Sequence, residues 1–432
     1  MPRTMAEIEK VKAGFVIELG ARFSLFNLAA IKASKFNMHM RLRAPKFIQF
    51  ALALTAFFFV FTAAAQKASP KPAIYDTAAY LPLLKGKTIG VIANQTSVKG
   101  DVHLVDYLLA NDISIKRVFA PEHGFRGKAD AGEKVEDGKD AKTGLPIISL
   151  YGKNKKPSQE MLDSMDVLVF DIQDVGVRFY TYISTLTYVM EAAAEKEIPV
   201  IVLDRPNPNG HYVDGPILKP EFKSFVGMHP VPVVYGLTIG EYGFMVNEEG
   251  WLADGFKCDY TVIKCLGYDH NARYKLPIKP SPNLPNERSI ELYPSLCFFE
   301  GTVVSAGRGT DYPFQMFGAP FYRTKVSFVP KPNEGSKHPK FEGQKCWGFK
   351  LADENAKRPM SMDLSYLGWA YKNAKDKSTF FNNFFNKLSG NAKLQEAIKA
   401  GVDVEEIYES WKSDLNTFKE TRKKYLLYPD FE

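Results

Sequence analysis

The chain has 432 residues, of which 45% are hydrophobic and 24% charged, with a formal net charge of +7. Nine of the 56 basic residues but only three of the 49 acidic ones lie in the first 65 positions, so the rest is almost charge-balanced. With no basic run there is no electrostatic footprint for nucleic acid, and the length suffices for two domains with real cores.

Between Met38 and Gln66 a positive leader (Arg41, Arg43, Lys46) precedes an apolar run from Phe47 to Phe61 and the small residues Ala63-Ala64-Ala65. That order describes a signal peptide. The alternative is a membrane anchor, but about 15 apolar residues fall short of the roughly 20 that span a bilayer. Cleavage after Ala65 is expected, leaving no stable membrane span and an exported protein, periplasmic or secreted. Met38 or Met40 makes a more natural start than Met1. Residues 1–37 therefore read as a non-native upstream extension, and 38–65 as the signal.

From Lys87 to about Pro208 short apolar runs alternate with helical patterns. Ile89–Ile92 reads as a strand, and Leu104, Val105, Leu108 and Leu109 share one helical face. Ile113–Phe119 is the next strand, and Ile147–Leu150 follows a polar insertion. Pro157–Leu162 reads as a short helix. Val167–Phe170 is a continuous apolar run, as expected for a strand covered on both faces. Ile183, Leu186, Val189, Met190 and Ala193 mark an amphipathic helix, and Val200–Leu203 is the last run. This alternation predicts a parallel, doubly wound α/β sheet over 66–209.

After Pro208 the composition changes to loops rich in Pro and Gly, with a helix predicted over Thr238–Glu248. A strand is predicted at Tyr260–Ile263, another at Phe298–Val304, and helices from Ser365 to the end. A smaller α+β domain is expected over 210–432. Cys258, Cys265, Cys297 and Cys346 are the four cysteines; Cys258 and Cys265 flank a strand-like run and read as core residues before a bridge. No C-x-x-C or H-E-x-x-H spacing occurs, so no metal site is expected. No G-x-G-x-x-G follows the first strand, and Walker-type and G-x-S-x-G motifs do not occur. No nucleotide or other cofactor is expected, and an α/β-hydrolase is disfavoured.

The strand ends carry the chemistry. Asn94-Gln95-Thr96, Pro121-Glu122-His123-Gly124, Tyr151-Gly152, Asp171-Ile-Gln173-Asp174 and Asp204-Arg205-Pro206-Asn207 would share one rim, where ligands bind in open parallel sheets. Any one of them alone is more often a helix cap or an Asx turn, but four polar strand ends out of five shift the weight toward a site. Glu122, in a rigid Pro-Glu-His-Gly setting, is the first candidate for a general acid; its structural alternative is an ion pair with Arg126. Asp171, Gln173 and Asp174, followed by Arg178, Tyr180 and Tyr182, suit a carbohydrate, with Arg178 able to clamp a carboxylate. Alternatively Asp174 caps the next turn and Arg178 neutralises it. Glu300 and Arg308 belong to the second domain. Glu300 could face Glu122 across a cleft as the second carboxylate of a glycosidase, or end an apolar strand in a salt bridge. Asn283 is either a turn former or a cleft-lining amide.

These blocks resemble the NamZ-type exo-β-N-acetylmuramidases, formerly a domain of unknown function. The likeness rests on Gly90-Val-Ile-Ala-Asn94-Gln95-Thr96, Phe119-Ala-Pro-Glu122-His123-Gly124-Phe-Arg126-Gly127 and Asp171 through Tyr182. It continues in Leu203-Asp204-Arg205-Pro206-Asn207-Pro208, Ser281-Pro-Asn283-Leu-Pro285, and Glu300-Gly-Thr302 through Gly307-Arg308-Gly309-Thr310. It runs from about Lys87 to Tyr428; the leader and the charged Lys331–Lys345 stretch look peculiar to this chain. The resemblance implies a Rossmann-like domain joined to a smaller C-terminal domain, with the active site in the cleft between them. It implies removal of terminal N-acetylmuramic acid from the non-reducing ends of peptidoglycan fragments. Glu122 occupies the favoured catalytic block, and Glu300 and Asp171 are carried over as second catalytic candidates. Asn94, His123, Arg126, Gln173, Asp174, Arg178, Tyr180, Tyr182, Asp204, Asn207, Asn283 and Arg308 are the expected substrate-binding residues. The competing reading is a non-catalytic periplasmic receptor for muropeptides or sugars, which would have no need of an acid held in a constrained turn.

Overall fold

The computed structural model describes residues 69–125, 137–353 and 355–432. The expected extension, the signal segment and Arg126 lie outside the described residues.

The sheet is built from β1 (Thr88–Ala93), β4 (Ser114–Ala120), β5 (Gly138–Lys139), β6 (Pro146–Ser149), β7 (Val167–Asp171), β8 (Val200–Leu203) and β9 (Tyr260–Ile263); β2 (Val98–Lys99) and β3 (Val102–His103) form a small hairpin apart from it. Its order is β5-β6-β4-β1-β7-β8-β9. All neighbours are parallel except β5 against β6. Helix α1 (Thr77–Leu84) precedes β1, α2 (Leu104–Leu109) links β3 to β4, and α3 (Tyr182–Glu195) crosses from β7 to β8.

Strand alternation sorts the side chains into two cores. Val91, Val167, Val169, Ile201 and Leu203 point to one face. Ile92, Leu168, Phe170, Val200 and Val202 point to the other, as the period of two requires. Every residue of β7 is buried, as its unbroken apolar run predicts. The second core is continuous with the C-terminal region through Phe298, Phe317, Leu367 and Trp411, and Ala68–Glu432 forms one compact unit.

Helix α4 (Ile239–Glu248) starts at a capping box in which Thr238 and Glu241 satisfy each other's backbone N–H. Helix α5 (Glu287–Leu296) starts the same way on Asn286 and Ser289. A three-stranded antiparallel sheet follows, β10 (Met316–Ala319), β11 (Val326–Phe328) and β12 (Cys346–Lys350), in the order β10-β12-β11. Then come α6 (Ser365–Lys372), α7 (Phe385–Ser389), α8 (Lys393–Ala400) and α9 (Val404–Lys423).

Three expectations change. The sheet does not end near 209, because β9 pairs with β8 well beyond it. The run Phe298–Val304 is no strand: Cys297–Gly301 is a 3-10 turn continuing from α5, with Phe298 and Phe299 fully buried. The run mixes two buried aromatics with Glu300, Gly301 and Thr302 and is too short to carry a period that separates a strand from a turn. The helix predicted at Pro157–Leu162 shrinks to the 3-10 turn Glu160–Leu162. The cysteines are free and buried, core residues as read.

Candidate active site

Because β1, β4, β6, β7 and β8 are parallel, their carboxyl ends share one edge. A cavity of about 280 Å³ opens there, between the edge and the C-terminal region. Of the residues singled out by sequence, Glu122, His123, Tyr180, Tyr182, Asn283, Glu300 and Arg308 line it.

Glu122 is presented by the chain reversal after β4. His123 and Gly124 both take positive φ, 71° and 76°; the first is uncommon for a residue with a Cβ and costs backbone strain. The reversal turns the Glu122 carboxyl into the cavity, where Oε2 accepts a 2.6 Å hydrogen bond from the Thr181 hydroxyl. Thr181 stands just before α3 and also lines the cavity. Sequence reasoning passed over it, although it sits between two tyrosines that were chosen.

Tyr182 forms the adjoining wall. Its hydroxyl accepts from Asn94 Nδ2 at 3.0 Å and donates to the Pro280 carbonyl at 3.2 Å. Burial, reinforced by the nearby Glu122 charge, raises its pKa well above the usual phenol value, so it stays neutral. Tyr180 meets Tyr182 edge to face at 4.9 Å between ring centroids, and Tyr293 at 6.0 Å. Tyr293 and Phe225 are further aromatic walls that no local pattern marked out.

The opposite wall carries the second charge cluster. Arg308 Nη1 lies 3.3 Å from Glu300 Oε2, and both side chains are partly exposed to the cavity. Arg308 Nη2 donates to the Gly335 carbonyl at 3.1 Å, and Asn283 Nδ2 donates to the same carbonyl. Cys297 also reaches the cavity, but burial pushes its thiol far up and keeps it unreactive.

The other expected site residues have different work. Asp171 is not at the cavity: it is completely buried in a bidentate pair with Arg205, at 2.5 and 2.9 Å. Asn94 stands behind Tyr182, its Oδ1 accepting from the Thr96 amide and hydroxyl. Gln173 donates to the carbonyls of Asp174 and Pro206, both at 2.8 Å. Asp174 accepts from the Gly176 amide and the Tyr235 hydroxyl, and burial pushes its pKa up to about 7. Arg178 does not line the cavity. Its guanidinium is completely buried and donates to the carbonyls of Pro216, Val231 and Leu388 at 2.7, 2.7 and 2.9 Å; burial draws its pKa down to about 9.

Asp204 accepts from Tyr428, Thr238 and the Gly240 amide, and burial raises its pKa to about 6. Asn207 donates to the Leu237 carbonyl and accepts from the Asn209 amide. These polar strand ends share the rim with Glu122 but lie beneath later segments, where buried polar groups must find partners.

Among the described residues no cluster of His, Cys, Asp and Glu could hold a metal ion, and no helix is long and apolar enough to cross a membrane. The cavity offers one carboxyl on the sheet edge, a second paired with a guanidinium opposite, and aromatic surfaces between them. That arrangement suits acid-assisted cleavage of a carbohydrate bearing a negative charge.

Comparison with known proteins agrees with that chemistry. Residues 89–288 match the family model described as exo-beta-N-acetylmuramidase NamZ, N-terminal, and residues 291–428 match its C-terminal counterpart. The chain is 41% identical over 377 residues to the peptidoglycan beta-N-acetylmuramidase NamZ of Bacillus subtilis strain 168, covering 81% of this chain and 89% of that one. Two crystal structures of DUF1343 family proteins from Bacteroides fragilis NCTC 9343 share the fold. One is 44% identical with TM-score 0.79, covering 84% of this chain and 100% of that one. The other is 30% identical with TM-score 0.71, covering 83% and 99%. The DUF1343 family is the NamZ family, and this chain, matched by its models from residue 89 to residue 428, belongs to it.

Proposed function

We propose that this chain is an exo-acting β-N-acetylmuramidase, a glycoside hydrolase that removes terminal N-acetylmuramic acid from the non-reducing ends of peptidoglycan fragments. The observation that carries the reading is Glu122, turned into the cavity by a strained reversal and hydrogen-bonded at 2.6 Å to Thr181. A binding protein gains nothing from fixing a carboxyl in this way.

In this reading Glu122 protonates the glycosidic oxygen as the bond to the anomeric carbon breaks. The aromatic walls at Tyr180, Tyr182 and Tyr293 take the sugar faces. Arg308 meets the lactyl carboxylate that distinguishes muramic acid from glucosamine, the task first considered for Arg178. Glu300 is the second carboxyl on the cavity. Asp171, the other candidate for a second catalytic carboxylate, is held inside the sheet edge by Arg205 and away from the cavity. The segment 38–65 supports export of the protein before it acts.

The test is turnover of a synthetic β-N-acetylmuramide beside the matching β-N-acetylglucosaminide. Release from the muramide alone is expected, with NMR of the first-formed anomer giving the stereochemical course. Tight binding of both sugars without turnover would replace the hydrolase by a receptor.

A further inference from the structure

The charged stretch Lys331–Lys345 packs against two residues of the cavity wall, Arg308 and Asn283. It begins where the Lys331 amide donates to the Gly309 carbonyl at 2.8 Å, beside the loop that carries Arg308. It then turns tightly, Asn333 and Ser336 exchanging backbone hydrogen bonds of 2.9 and 3.2 Å. The turn presents the Gly335 carbonyl to Arg308 and Asn283 together, tying both cavity-lining residues to one acceptor.

Lys340 lies further along the same stretch. Its Nζ lies 2.8 Å from the carbonyl of Phe299, 2.7 Å from that of Thr302, and 3.3 Å from those of Glu300 and Val304. The 3-10 turn Cys297–Gly301 ends here, where the Phe299 carbonyl also accepts from the Thr302 amide and the Glu300 carbonyl from Asn382 Nδ2. An ammonium brings three donors and a compact charge to that negative end. Two of the carbonyls it gathers lie in the turn that carries Glu300, the partner of Arg308, and two in the segment just after it.

We propose that Lys340 is a positioning residue for the reaction: by gathering the carbonyls of residues 299, 300, 302 and 304 it fixes where Glu300 presents its carboxyl to the substrate. This rests on the reading of Glu300 as the second carboxyl of the hydrolase. A slack turn would let that carboxyl wander, and misplacement by about 1 Å costs on the order of a hundredfold in rate.

Muramide turnover is measured for Glu300→Gln, Lys340→Met and the double variant, with near-UV circular dichroism reporting the fold. Lys340→Met is expected to lower kcat at least about tenfold with a much smaller change in KM. In the Glu300→Gln background the same change is expected to cost less than about twofold, because the carboxyl it positions is already gone. A merely structural lysine would slow both backgrounds equally, and that result, or unchanged kcat in the single variant, overturns the proposal. If Lys340→Met does not fold, Lys340→Gln, which keeps an amide donor, takes its place with the same expectations. Near wild-type turnover in Glu300→Gln alone overturns the reading of Glu300, and the role of Lys340 falls with it. Loss in Glu300→Gln without loss in the Lys340 variant overturns only the positioning role.

Discussion

Thr181 and Glu122 are 59 positions apart, yet a 2.6 Å hydrogen bond joins them and orients the carboxyl proposed as the acid. Glu122→Gln keeps the volume but cannot deliver a proton, so kcat should fall by about 10²–10⁴-fold with the fold intact. A leaving-group series checks this; a variant keeping wild-type rate on a poor leaving group would remove Glu122 from the acid's role. Thr181→Val removes the donor that orients the carboxyl. A hydrogen bond to a neutral carboxyl is worth about 0.5–1.5 kcal/mol, so kcat should drop by roughly 2–10-fold, while Thr181→Ser should hold most of the rate. Substrate choice separates the two arginines. Arg308→Ala should weaken muramide binding far more than binding of a lactyl-free analogue. Arg178→Ala should lower both alike, along with the thermal midpoint, because its partners are backbone carbonyls inside the protein.

Helix α7 meets Arg178 at its carboxyl end, where the Leu388 carbonyl takes the guanidinium and Gly390 follows with φ of 76°. A Cβ at Gly390 would lie 2.7 Å from Arg178 Nη2 and 2.9 Å from the Leu218 Cα. Backbone conformation and space therefore both demand glycine there. Gly390→Ala should destabilise the protein by about 1–3 kcal/mol, read as a lowered denaturant midpoint, and should disturb the Leu388 wall of the cavity. The elements themselves were largely legible. Strands β1, β4, β6, β7 and β8 and helices α2, α3 and α4 follow from local period and capping, which depend on neighbours in sequence. The 3-10 turn Cys297–Gly301 was not, because five residues are too few to show a period.

Across the whole molecule, later segments cover the sheet edge and bury its carboxylates. Asp174 is held neutral-prone by burial, with a pKa of about 7 in the folded protein against 3.8 as the ordinary value. The folded state therefore binds this proton more tightly than the unfolded chain does. Its contribution favours folding below the ordinary carboxylate range and is lost as pH rises from about 4 to 7. Asp174→Asn removes that dependence: the stability of the variant relative to wild type should rise over this window by about 2–4 kcal/mol at most. Urea unfolding of both proteins at pH 4, 5.5 and 7 measures it, and a constant difference would contradict the buried-carboxylate account.

The sequence by itself determined the alternation of strands and helices, the parallel sheet and the rim of polar strand ends, because these follow from period, caps and connection rules that act over short distances. Glu122 was legible for the same reason: a Pro-Glu-His-Gly reversal after a strand is a local feature. Which polar ends open to the cavity was decided only by the tertiary structure. Asp171 is taken by Arg205, 34 residues on; Arg178 by the Leu388 carbonyl, 210 residues on; and Asp204 by Tyr428, 224 residues on. A buried polar group must be satisfied by whatever segment folds over it, and no local pattern in a chain announces which distant residue that will be.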